Sequence, residues 1–223
     1  MPTLYIVATP IGNLADITAR AISTLKDSDA ILCEDTRVTA KLLFHLQIKK
    51  PLISFHEHSD RRRLDEVIRL LEEGKNLALV TDAGTPGISD PGSWLVREVV
   101  HQLPDVIISP IPGPSALAAA VSICGFNVDE LVFKGFPPHK KGRKTFFDAV
   151  VEEQRTVILY ESTHRILKAM NELNARCPER RIVLCRELTK LHETIHRGSV
   201  AEVTERLKTA SIKGEFVIVL GPL

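Results

Sequence analysis

The chain has 223 residues, 44% of them hydrophobic, which suffices for one large domain or two smaller ones with separate cores. Its net charge of +1 gives no whole-molecule field to draw in a polyanion or a membrane, so any such attraction must come from a local patch. Cys33, Cys124, Cys177 and Cys185 form no C-x-x-C pair, the N-terminus reads as lacking a signal peptide, and no apolar run approaches the roughly 18 residues of a membrane span. All four cysteines are expected to be reduced and buried, as suits a cytosolic protein.

Along the first half, short apolar runs at Leu4–Ala8, Ala30–Cys33, Leu52–Phe55, Leu77–Val80 and Val106–Ile111 read as strands. Between them the spacing predicts helices at Asp16–Leu25, Thr36–Leu46, Arg61–Glu73 and Ser93–Val100. The third is the clearest: Leu64, Val67, Ile68 and Leu71 form one stripe, with Asp60 as N-cap and Gly74 just past the end. Strict alternation of strand and helix predicts a mostly parallel sheet covered by helices. Pro110-Ile111-Pro112-Gly113-Pro114 can continue neither a helix nor a central strand, so the boundary between two α/β domains is set there, as 1–112 and 113–223.

An alanine-rich helix at Ser115–Ile123 opens the second half. Strands are expected near Leu131–Phe133, Val157–Tyr160, Ile182–Cys185 and Phe216–Leu220, and helices at Arg143–Val151, His164–Leu173 and Val200–Lys208. Ser199 and Glu202 form a capping box for the last helix.

Ligands of open α/β sheets bind outside the carboxyl ends of the strands. The first-half loops at those ends are rich in Gly, Pro, Thr and paired charge, whereas those at the other end carry ordinary solvated turn residues. The most informative loop is Val80–Gly92, VTDAGTPGISDPG, with three glycines, two prolines, Asp82, Asp90 and no Lys or Arg. It contains neither a P-loop nor a GxGxxG pattern. Its charge suits a ligand that is cationic or rich in hydroxyls, and a sulfonium nucleoside is both.

Eight segments occur in order: LYIVATPIGNLADIT (Leu4–Thr18), CEDTR (Cys33–Arg37), the Val80–Gly92 loop, PIPGPSA (Pro110–Ala116), GFPP (Gly135–Pro138), YESTHR (Tyr160–Arg165), RELTK (Arg186–Lys190) and GEFVIV (Gly214–Val219). Together they resemble the ribosomal RNA small subunit methyltransferase I family, of the tetrapyrrole-methylase-like class, over nearly the whole chain. The resemblance implies two α/β domains with S-adenosylmethionine in a cleft between them, a homodimer, and 2′-O-methylation of a cytidine ribose in small-subunit (16S) ribosomal RNA, free or within the 30S subunit. It implies cofactor contacts at Pro10, Ile11, Asp82, Ala83, Gly84, Thr85, Ser115, Ala116, Tyr160, Arg186, Glu187 and Glu215. Family members commonly continue into a small helical extension, whereas this chain stops at Leu223. A tetrapyrrole or a protein side chain as methyl acceptor, and an RNA-binding module without catalysis, are the alternatives.

Methyl transfer from a sulfonium is an in-line displacement in which orientation supplies much of the rate. A ribose hydroxyl is a poor nucleophile, so a base or a positive charge beside it helps. Glu34, Asp35, Arg37, Glu161, His164, Arg165, Glu187 and Lys190 are the candidates, Asp35 and Glu187 as bases and Arg37, Arg165 and Lys190 as phosphate ligands; the bland reading is that they pair with one another. Lys134–Lys144, KGFPPHKKGRK, has five basic residues and no acid, with Phe146 and Phe147 following. Lys140, Lys141, Arg143 and Lys144 are expected to track an RNA backbone beside those aromatics, with His164 nearby. Arg61-Arg62-Arg63 reads as a solvated surface. No metal is expected: His192-Glu193-Thr194-Ile195-His196 matches H-E-x-x-H, but Arg197-Gly198 interrupts it and Thr194-Ile195 suits an extended segment. His56-Glu57-His58 lacks a partner cluster.

Overall fold

A computed structural model describes residues 1–56, 61–90 and 92–223. The expected N-cap Asp60, the Glu57-His58 pair and Pro91 lie outside the described residues. The chain divides into two compact units, Met1–Ser115 and Ala116–Leu223.

The first unit holds β1 (Thr3–Val7), α1 (Ala19–Asp27), β2 (Ala30–Cys33), α2 (Thr36–His45), β3 (Leu52–Ser54), α3 (Arg61–Glu72), β4 (Leu77–Val80), α4 (Gly92–Gln102) and β5 (Ile107–Ile111). Its sheet runs β3-β2-β4-β1-β5, with every pairing parallel. Strands β2 and β4 are buried at every residue, which is why AILC and LALV are continuously apolar rather than alternating. On one face Leu4, Leu32, Leu77 and Leu79 pack with Leu64, Val67 and Leu71 of α3 and Leu95 of α4. On the other, Val7, Ile31, Ala78 and Val80 pack with Ala21, Leu25 and Leu43 of α1 and α2. Phe55 stacks on Trp94 with ring centroids 5.3 Å apart.

The second unit holds α5 (Ala116–Cys124), β6 (Leu131–Gly135), α6 (Arg143–Val151), β7 (Thr156–Ser162), α7 (Ile166–Asn174), β8 (Arg181–Arg186), β9 (Thr194–Ser199), α8 (Val200–Leu207) and β10 (Glu215–Leu220). Its order is β6-β7-β10-β8-β9, with only β6 and β7 parallel. Phe147 and Val150 of α6, Ile166, Met170 and Leu173 of α7 and Val203 and Leu207 of α8 pack on the alternating residues Val157, Leu159, Ile182, Leu184, Phe216 and Ile218. Both units have the α/β architecture, the first with a parallel sheet and the second with a mixed one. Among the described residues no helix is long and apolar enough to cross a membrane.

Several local expectations need correction. The helix expected from Asp16 is a 3-10 turn, Leu14–Asp16, followed by a fresh start at Ala19, because the Thr18 hydroxyl accepts the Ala21 amide and resets the N-terminus. The helix expected from His164 begins at Ile166, because the Arg165 amide turns back onto the Ser162 carbonyl. The extended dipeptide Thr194-Ile195 is the start of a full edge strand, β9, antiparallel to β8. Cys177 is half-buried, whereas the other three cysteines are buried. The Ser199–Glu202 capping box is present in full.

Candidate functional site

In the first unit the chemistry gathers at the carboxyl ends of β1, β2, β4 and β5. Strands β2 and β4 are neighbours, yet the chain leaves them toward opposite edges, β2 to β3 and β4 to β5, so the sheet has a topological switch point between them. Across it the Asp35 amide donates to Asp82 Oδ1 at 3.1 Å, and the Thr81 hydroxyl donates to Glu34 Oε2 at 3.2 Å.

The Gly-Pro loop is tied to both neighbouring loops. Thr9 and Gly84 exchange backbone hydrogen bonds of 2.9 and 3.1 Å, the Thr9 hydroxyl donates to the Thr81 carbonyl, and the Thr85 hydroxyl donates to the Pro114 carbonyl at 3.0 Å. Gly84 (φ 89°) and Gly87 (φ 88°) take the left-handed conformation that glycine adopts without penalty. Asp90 Oδ1 accepts the amides of Gly87 and Gly92 at 2.7 and 2.8 Å. The first amide of α4 is therefore already capped by a carboxylate, which explains in structural terms why the loop does not read as a phosphate cradle.

The electrostatics of this end are acidic. Burial, and then the neighbouring Asp82 carboxylate, push Glu34 above the usual carboxylate range. Burial and Asp35 do the same to Asp82, against the opposing hydrogen bond from the Asp35 amide. Asp35 goes the other way: the Arg37 guanidinium grips its carboxylate with bonds of 2.6 to 3.2 Å, the Arg37 amide adds another, and its pKa falls to about 2. Asp35 also caps α2, so its carboxylate is already engaged by its own helix and by Arg37. Arg37 pairs with Asp35 while its side chain stays 86% exposed. Ile11 and Gly84 are buried, Pro10, Thr85 and Ser115 half-buried, and Asp82 and Ala83 exposed at the rim.

In the second unit a cluster forms where β7, β8 and β10 meet. The Thr163 hydroxyl accepts the Gly214 amide and donates to the Gly214 carbonyl, both at 2.6 Å. Glu187 Oε1 accepts Lys190 Nζ and the Glu215 amide, each at 2.9 Å, and Lys190 also reaches Glu215 Oε2 at 2.9 Å. Burial would raise the Glu187 pKa, but the Lys190 and Glu215 hydrogen bonds outweigh it and the net shift is downward. The Glu187 carboxylate is therefore engaged by local partners, and Lys190 has two carboxylate partners. Glu187 (φ 53°) and Thr189 (φ 66°) are both left-handed, uncommon for residues other than glycine. A Cβ at Gly214 would collide with the Glu187 side chain. Arg186 is buried and structural: it donates to the carbonyls of Lys213 and His192 and to the Ser211 hydroxyl. An open groove of about 640 Å³ runs past Arg186, Glu187, His192, Glu193, Thr194, Lys213 and Gly214. His192 lies in the turn before β9 and His196 on β9 itself, so the two histidines are not helical neighbours.

A second cluster lies beneath the basic loop. Glu161, with no exposed side-chain surface, sits 3.0 Å from Arg165 and 3.7 Å from Arg143, which also binds Glu172 at 3.2 Å. Arg143, expected on the RNA side, has a side chain only 4% exposed and is a core residue stacked 5.0 Å from the Phe147 ring centroid. Phe147 is fully buried and packs edge-on against Phe146. Of the basic loop, Lys140, Lys141 and Lys144 are exposed, as is His164 beyond it. Half-buried Tyr160 has its hydroxyl raised in pKa by burial, against a hydrogen bond from the Leu117 backbone, and its ring meets Phe133 and Phe136 edge-on. Ala116 opens α5 beside it in sequence.

The sequence profile of the Tetrapyrrole (Corrin/Porphyrin) Methylases matches residues 3–204. A protein of Thermotoga maritima named ribosomal RNA small subunit methyltransferase I is 43% identical over 220 residues, 99% of this chain and 98% of its own length. The chain belongs to the ribosomal RNA small subunit methyltransferase I family. A second relative of that name, from Synechocystis sp., is 46% identical over 99% of this chain and 79% of its own length. Members of the family thus differ in length beyond the shared part. Among solved structures, a diphthine synthase superposes with a TM-score of 0.72 at 15% identity, covering 98% of this chain and 90% of that one, which shows the shared fold.

Proposed function

We propose that this protein transfers the methyl group of S-adenosylmethionine to the ribose 2′-hydroxyl of a cytidine in small-subunit ribosomal RNA. The observation that carries the cofactor reading is the first unit's switch point, where Glu34, Asp82 and Asp90 surround a glycine-rich loop with no basic residue. A sulfonium is a fixed cation, and partly desolvated carboxylates with raised pKa favour its arrival because the ligand restores their charged forms. The names of the relatives support the RNA substrate.

Asp82, Ala83, Gly84 and Thr85 present the cofactor surface of the first unit, with Pro10 and Ile11 alongside. Ser115, Ala116, Tyr160, Glu187 and Glu215 are the remaining cofactor candidates, and Arg186 holds the Lys213 carbonyl, two residues before Glu215. Lys140, Lys141, Lys144 and Arg37 are the exposed cations offered to RNA, and His164 is an exposed ring beyond them. In the reaction the S–CH₃ bond breaks as the O–CH₃ bond forms. The sulfonium becomes a neutral thioether, and the hydroxyl proton leaves to a carboxylate or to water. Orientation supplies most of the rate, with Glu34 or Asp82 as proton acceptor. The proposed setting is the cytoplasm and the proposed state a homodimer, acting on free or 30S-assembled RNA.

Calorimetry with S-adenosylmethionine tests the first step: Asp82→Ala weakens binding at least about tenfold, equivalent to about 1.4 kcal/mol. Labelled cofactor with small-subunit RNA, naked and assembled, followed by mapping of the product, tests the second. Unchanged uptake by Asp82→Ala, or label confined to bases or protein, overturns the reading.

A further inference from the structure

The basic loop carries an aromatic side chain that the core does not use. Phe136 is 49% exposed, whereas Phe147 is wholly inside. Tyr160 packs against it with ring centroids 5.5 Å apart and planes at 65°, and the Arg165 guanidinium lies over its ring, 6.0 Å from the centroid. The backbone beside it is fixed from below. Arg165 Nη1 donates to the Pro137 carbonyl and Arg143 Nη1 to the Pro138 carbonyl, both at 3.0 Å, and the two arginines flank the same buried carboxylate, Glu161. A ring presented to solvent on immobilised backbone loses little freedom when something stacks on it. The same segment, Lys134–Lys144, contains no acid and exposes Lys140, Lys141 and Lys144.

We propose that Phe136 is a stacking platform for an unpaired RNA base, with Lys140, Lys141 and Lys144 holding the flanking phosphates. An aromatic face beside a cationic track is the combination that binds single-stranded nucleic acid. A base in a duplex already has both faces stacked, so the platform selects unpaired nucleotides. The cofactor is the weaker occupant, because a cationic sulfonium gains nothing from a lysine-rich surface. The proposal rests on the RNA reading above and names the residue that reads the strand.

The test is fluorescence anisotropy of a short mixed-sequence oligoribonucleotide, single-stranded and as a duplex, alongside methylation of small-subunit RNA. Phe136→Ala should weaken single-strand binding roughly five- to 150-fold, the range for loss of one base–aromatic stack, with an unchanged slope of affinity against salt. Phe136→Trp should retain binding, and its emission should be quenched by the single strand but not by polyphosphate. Lys140→Ala/Lys141→Ala should instead flatten the salt slope. Should Phe136→Ala bind the single strand like the wild type while small-subunit RNA is still methylated, the platform is wrong and the functional reading stands. Should Phe136→Ala lose S-adenosylmethionine rather than RNA, the ring serves the cofactor and the proposal is overturned. If the wild-type protein methylates no RNA, both readings fall together.

Discussion

The Gly-Pro loop of the first unit and the basic loop of the second are built on opposite plans. The first is held through its amides: Gly84 exchanges amide–carbonyl bonds with Thr9 of the neighbouring loop, and one carboxylate, Asp90, gathers two amides. The second is held from outside, by arginines that reach up from the core to successive proline carbonyls. The difference follows from composition. Glycines let amides converge on a point, whereas Pro137 and Pro138 have no N–H and can only be gripped through oxygen. The first plan leaves negative side chains at the rim, and the second sinks two positive ones and leaves lysines outside.

The largest effect that separates the two plans comes from Glu161. Glu161→Leu removes the buried carboxylate shared by Arg165 and Arg143 and leaves Arg143 with Glu172 and the Pro138 carbonyl; removing one partner of a buried ion pair costs about 3–5 kcal/mol. The urea midpoint should fall accordingly and RNA affinity with it; a stability equal to wild type would mean that Glu172 alone satisfies Arg143. Next is Asp90→Ala, which removes two hydrogen bonds to one partly exposed carboxylate, together worth about 1.5–3 kcal/mol. Cofactor affinity should drop with RNA affinity unchanged, as calorimetry and anisotropy on one preparation would show. The smallest effect is in pH. Glu34 and Asp82 have raised pKa values, so their contribution to ligand-free stability is full below their ordinary values of 4.5 and 3.8 and is lost as pH rises through the raised ones. Cation binding runs the other way: cofactor affinity should begin to fall while the pH is still above 4.5, and Glu34→Gln should flatten that decline. A pH profile indifferent to Glu34→Gln would remove this residue from the cofactor's field.

The first plan was more legible in the sequence than the second. Glycine, proline and aspartate in Val80–Gly92 act locally, so their spacing announces a tight loop at a strand end. The stripe Leu64, Val67, Ile68 and Leu71 and the buried runs AILC and LALV were equally local, and all are buried. Arg143 reads as one more positive residue in a basic run because its partners, Glu161 and Glu172, come from β7 and α7, far along the chain. The same long-range packing draws Phe147 inward and leaves Phe136 outside, reversing which phenylalanine is available. Strand β9 was visible only as Thr194-Ile195, since this edge strand, TIHRGS, buries only Gly198 and Ser199 and carries little apolar content. The carboxylates of Asp35 and Glu187 are engaged by Arg37, Lys190 and the Glu215 amide. The first two partners are near neighbours within CEDTR and RELTK, and only the Glu215 amide comes from far along the chain.

The absent side chain at Gly214 makes that position and Glu187 epistatic. With Glu187 in place, any residue larger than glycine at 214 meets both a left-handed φ of 122° and the Glu187 stem; once Glu187 is trimmed to alanine, only the backbone penalty remains. Effects of the two single changes therefore cannot be summed. A larger residue at the glycine before β10 therefore calls for a smaller one at the carboxylate after β8, whereas the carboxylate can be shortened with the glycine in place.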